Sequence, residues 1–125
     1  MSEKSGARVV WSEIPVTDMA KSMAFYGKVL GADLTLDETG PNPMAILPFD
    51  GVSTSGHLYP GKPAAKGTGP TIHVAIPGTA EEAIAAVRAA GGEADDFVVA
   101  IPEGRSAYAT DPDGNSIGLF EVPKG

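Results

Sequence analysis

The chain has no cysteine in its 125 residues. That excludes a disulfide framework, a thiolate zinc site, an iron–sulfur cluster and a cysteine nucleophile. It has only two histidines, His57 and His73, and a single tryptophan, Trp11. Basic residues are scarce, 9 against 16 acidic, for a formal charge of −7. Such a surface repels phosphate backbones, so no nucleic-acid partner is expected. No apolar run approaches the ~20 residues of a membrane-spanning helix, so no membrane partner is expected either. The opening MSEKSGAR has no apolar signal core, which makes the cytoplasm the expected location. A G-x-G-x-x-G fingerprint after a strand, a P-loop and a G-x-S-x-G elbow are all missing.

What remains is an ordinary globular composition, 42% hydrophobic and 20% charged, in one domain over residues 1–125. Arg8–Val16 alternates as a strand, with Val10, Ser12, Ile14 and Val16 on one face and Val9, Trp11, Glu13 and Pro15 on the other. Thr17 or Asp18 can cap a helix carrying Met19, Met23, Tyr26, Val29 and Leu30, which Gly31 stops. Gly27 lies inside that helix, where close packing is one reason for a glycine. Strands are expected at Asp33–Asp37, Met44–Pro48 and Thr54–Tyr59. The Gly/Pro-rich stretch 61–70 reads as a linker.

The pattern then repeats. Thr71–Ile76 alternates as a strand, with Thr71, His73 and Ala75 on one face, and Thr79 and Glu82 form a capping box. A helix with Ala80, Ala83, Ile84, Val87 and Ala90 ends at Gly91-Gly92. Strands are expected at Asp96–Ala100, Ser106–Thr110 and Ser116–Val122, the last two joined by the turn Asp111-Pro-Asp-Gly-Asn115. Module one (about 8–60) and module two (about 71–122) thus each read as strand, helix and three strands. Helices would cover one face of each sheet, and the other faces would enclose a cleft.

These segments, above all IPVTDMAKSMAFYGKVLG (14–31), TIHVAI (71–76), AAGG (89–92) and DPDGNSIGLFE (111–121), resemble the vicinal oxygen chelate superfamily. Glyoxalase I, the bleomycin-resistance proteins and the extradiol dioxygenases belong to it. The resemblance covers about residues 8–122 and is nearest to the glyoxalase-like branch. It implies an α+β fold of two βαβββ modules, forming an incomplete mixed-sheet barrel around a cleft, and a homodimer. Whether the cleft closes within one chain or by module swapping stays open, as does the identity of the ligand.

Metal sites of the superfamily take one ligand from each of four strands. Carried over by position, the first falls on Trp11, which cannot ligate, with Glu13 as a replacement. The second falls at or near His57, the third on His73 and the fourth on Gly118. Gly118 would delete a ligand and enlarge the space. Glu121 has the wrong parity to reach the cleft. The set Glu13, His57 and His73 would suit divalent Fe, Mn, Zn or Ni and a metal-dependent lyase, isomerase or dioxygenase. The reading preferred here is a cleft without a complete metal site. It would bind a small planar or aromatic molecule through Trp11, Glu13, His57, Tyr59, His73, Tyr108 and Phe120. A non-catalytic interaction module is a third reading. If the protein is an enzyme, Glu13 is the candidate general base, provided its carboxylate is partly desolvated, and Tyr108 its companion. Arg105 is a candidate contact for an anionic ligand.

Overall fold

The computed structural model describes residues 8–123; most of the MSEKSGAR segment lies outside the described residues. The elements run β1 (Trp11–Val16), α1 (Met19–Leu30), β2 (Thr35–Asp37), β3 (Met44–Ile46), β4 (Ser55–Pro60), β5 (Ile72–Ala75), α2 (Ala80–Ala89), β6 (Glu93–Ala94), β7 (Val99–Ile101), β8 (Gly104–Thr110) and β9 (Ser116–Glu121). No helix among the described residues is long and apolar enough to cross a membrane.

Two mixed sheets form, with orders β1-β4-β3-β2 and β5-β9-β8-β6. In each, the first strand pairs parallel with the last, β1 with β4 and β5 with β9. The architecture is therefore α+β with two modules, and the sheets do not close into a barrel. The strand expected at 96–100 is instead split. Glu93–Ala94 and Val99–Ile101 pair separately along β8, at opposite ends of it. Polar Asp95 and Asp96 interrupt the alternation that a continuous strand needs.

Local signals set the helix ends. Asp18, not Thr17, caps α1 by accepting from Lys21 N at 3.1 Å, and Gly31 closes it at φ 70°. Thr79 and Glu82 form the reciprocal box on α2. At Gly27 an added Cβ would meet Ala32 O at 3.6 Å and Asp33 Oδ1 at 3.9 Å, which is ordinary contact. Close packing therefore does not demand this glycine. Gly27→Ala is expected to raise stability by up to about 1 kcal/mol; a lower urea midpoint would contradict this.

One core serves both modules. Ile14, Val16, Phe25, Tyr26, Val29 and Leu58 of the first pack with Val74, Ile84, Val87, Ile117 and Leu119 of the second. The turn 111–115 fastens them together. The Asp111 carboxylate, 3% exposed, accepts from Tyr26 Oη at 2.7 Å, from the Asp113 and Asn115 backbone N–H groups at 2.9 Å and from Asn115 Nδ2 at 2.9 Å. Asn115 Nδ2 also donates to Pro15 O at 2.8 Å. Asp113 accepts from the Thr17 N–H at 3.1 Å and hydroxyl at 2.5 Å.

Candidate functional site

With the helices on one side, alternation leaves one free face on each sheet. On the first, β1 presents Trp11, Glu13 and Pro15, and the β1–β4 register sets Glu13 opposite His57 and Pro15 opposite Tyr59. On the second, the registers align His73, Gly118 and Tyr108 in one row and Ala75, Phe120 and Ser106 in the next. Trp11, Glu13, His57 and Tyr59 lie on the free face of the first sheet, and His73, Tyr108 and Phe120 on that of the second. Glu121 has the opposite parity. Its Oε1 accepts from the Ala80 N–H at 2.8 Å, at the start of α2, and from Arg105 at 2.9 Å.

The first face is a connected cluster. Trp11 Nε1 donates to His57 Nδ1 at 2.9 Å. The indole packs edge-on against Phe49 (centroids 5.2 Å apart), and the His57 ring against Tyr59 (6.3 Å). Phe49 had no signal in the sequence, because it lies between strands. The turn after it is held by Asp50. The Asp50 carboxylate accepts from the Ser53 and Val52 N–H groups and the Ser53 hydroxyl. Those bonds lower its pKa to about 2, the Ser53 N–H contributing most.

The bond from Trp11 fixes the state of His57. An indole N–H can only donate, so His57 Nδ1 is the acceptor and Nε2 carries the hydrogen. That Nε2 stands 3.7 Å from Glu13 Oε2. A ligating histidine uses the lone pair of one nitrogen and donates from the other. Here one nitrogen already accepts and the other bears the proton. His57 is 7% exposed, whereas the Glu13 side chain is 65% exposed. The desolvation on which a general base at Glu13 depends is not present within the chain.

The second face carries His73 and Tyr108 edge-to-face, centroids 5.6 Å apart. Tyr108 is 46% exposed. The space above Gly118 is not enlarged, contrary to expectation: the His73 ring fills it, and a Cβ at 118 would lie 2.1 Å from His73 Nδ1. Glycine here lets the imidazole lie flat on β9. His73, Val99, Ile101, Glu103, Ser106, Tyr108 and Phe120 line an open groove of about 560 Å³. His73 stays apart from the Glu13–His57 pair, and no group of three His, Asp or Glu among the described residues is placed to hold a metal ion. The donor set offered by a single chain thus does not fit a metal centre. Arg105 is also engaged internally: it forks onto both Glu81 oxygens, at 3.0 and 2.5 Å, and onto Glu121 at 2.9 Å. Lys66 of the linker pairs with Glu93 at 2.6 Å.

Two βαβββ modules with aromatic and imidazole side chains on their free faces define a class. The chain belongs to the Glyoxalase/Bleomycin resistance protein/Dioxygenase superfamily, whose family model matches residues 8–119. Solved structures agree. A glyoxalase/bleomycin resistance protein from Albidiferax ferrireducens T118 is 22% identical, with a TM-score of 0.67 over 94% of this chain and 100% of that one. TnmS3, an antibiotic-binding protein from Streptomyces sp. CB03234, is 26% identical, with a TM-score of 0.64 over 95% and 98%. A glyoxalase I mutant from Zea mays is 20% identical, with a TM-score of 0.66 over 90% of this chain and 46% of that one. No curated protein matches the sequence.

Proposed function

We propose that this protein binds a small, planar, largely apolar molecule without the help of a metal. The observation that carries the reading is the bond from Trp11 Nε1 to His57 Nδ1. It spends the imidazole lone pair on the protein itself and turns a would-be ligand into a support for the indole. What the face then offers is aromatic surface: Trp11, Phe49 and Tyr59 around a neutral histidine. Flat apolar walls with few fixed polar groups suit an aromatic guest. The 26% identity to the antibiotic-binding TnmS3 supports the same class of ligand.

A second copy completes the site. Tyr108, Phe49 and Ile101 are each more than 40% exposed, and an open sheet face cannot bury the 70–90% of ligand surface that binding sites usually cover. In a two-fold dimer the first sheet of one chain meets the second sheet of the other, twice, which gives two equivalent clefts. The candidate residues on the two sheets then converge across the interface.

The test is a titration of Trp11 emission with a panel of planar aromatics in the presence of EDTA, alongside sedimentation to count chains. Saturable quenching in a dimer is expected. A monomer whose emission no compound alters overturns the reading, as does one tightly held metal per chain that is lost in His57→Ala.

A further inference from the structure

Among the described residues, Ser106 Oγ is the one buried side-chain oxygen or nitrogen that has no hydrogen-bond partner. Ser106 is 6% exposed, yet it sits on the free face of β8, opposite Phe120 and Val99. It also lines the groove of about 560 Å³ shared by His73, Tyr108 and Phe120. The buried His57 and Asp111 side chains, by contrast, have protein partners: His57 takes the Trp11 N–H, and Asp111 takes the clamp bonds. A buried hydroxyl left unpaired costs free energy, and alanine would fit the same space. The walls around it are rings and branched aliphatics. Glu103 also lines the groove and the chain as a whole is −7, which disfavours an anion.

We infer that Ser106 is the polar anchor of this groove, and that the groove selects a neutral planar aromatic molecule whose edge carries a carbonyl oxygen. The hydroxyl donates to that carbonyl while the ring system lies against Phe120 and Tyr108. This rests on the reading of the protein as a binder of planar molecules and adds the group by which it chooses among them. A site built to hydrogen-bond one ligand group rejects the analogue lacking it, because the polar partner is then left unpaired. The position was missed in the sequence because a serine in a strand is usually satisfied or solvated. Only the three-dimensional surroundings show that it is neither.

A matched pair of probes tests this: 2-acetylnaphthalene and 2-ethylnaphthalene, alike in shape and differing in the carbonyl. Equilibrium dialysis of the full chain with each, in EDTA, is expected to show the ketone bound about tenfold more tightly, a difference of about 1.4 kcal/mol. In Ser106→Ala the ketone should weaken about tenfold and the hydrocarbon should not, so that the preference disappears. The melting temperature of unliganded Ser106→Ala should hold or rise, since it removes an unpaired group. A preference that survives in Ser106→Ala, or equal binding of the two probes by the parent, overturns the inference and leaves the binding reading intact. Failure of the parent to bind either probe overturns the inference, and the binding reading falls with it when no compound of the panel alters Trp11 emission either. A fall of several degrees in the unliganded melting temperature also overturns it, by revealing a structural partner for the hydroxyl.

Discussion

Asp111→Ala is expected to lower the stability of the fold by about 3 kcal/mol or more, the largest effect of any single side-chain truncation outside the apolar core. The carboxylate is buried and accepts four hydrogen bonds, from Tyr26 Oη, Asp113 N, Asn115 N and Asn115 Nδ2. Bonds to a charged acceptor contribute about 1.5–3 kcal/mol each and do not simply add. Alanine would strand the four donors at the junction of the two modules. Tyr26→Phe removes one donor and should cost about 1–3 kcal/mol. The two changes should be strongly non-additive in urea denaturation, because they break the same contact. An Asp111→Ala loss below 1 kcal/mol would contradict this account. The clamp also predicts an alkaline limit. Burial, then the adjacent Asp111 charge, push the Tyr26 phenol well above its ordinary pKa. Above pH about 10 the unfolded phenol loses its proton while the folded one keeps it. The folded state then binds more protons, so stability falls as pH rises beyond that value. Tyr26→Phe should flatten this part of the alkaline slope.

Trp11 should show the second large effect, this time in ligand binding. Trp11→Ala removes a ring able to bury 150–250 Å² and frees the His57 imidazole that it holds. Central aromatic anchors of this kind cost about 2 kcal/mol or more on truncation, a loss of roughly thirtyfold in affinity. Trp11→Phe keeps a flat wall and loses only the N–H, so its loss should be several-fold smaller. The comparison, read by calorimetry with a ligand found in the quenching panel, separates wall from donor. Equal affinity of parent and Trp11→Ala would remove the first sheet from the site.

The contrast between these residues shows which features could be read ahead of the structure. Caps and stops at Asp18, Gly31, Thr79 and Glu82 are local, since a side chain reaches only three or four positions along its own chain. Strand parity is equally local, and it placed Trp11, Glu13, His57, Tyr59, His73, Tyr108 and Phe120 on free faces. What failed to appear were contacts set by register and packing. The indole of Trp11 meets an imidazole 46 positions away, and this bond decides the tautomer on which the chemistry of the site depends. The gap left by Gly118 looked like space for a ligand, but β5 runs beside β9 and puts the His73 ring into it. Glu13 looked sheltered between Trp11 and Pro15, yet the sheet turns its carboxylate outward. The split at 93–101 escaped notice because the alternation there is too short to resolve.

The fastening at 111–115 has a consequence for how the chain acquires its shape. Its partners Pro15, Thr17 and Tyr26 lie 85 to 100 positions upstream. A chain under synthesis therefore cannot form this clamp until the turn 111–115 has emerged. Closing so long a loop is slow. A gene cut between the two repeats should yield fragments that fold only when co-expressed, because the core and the clamp draw on both modules.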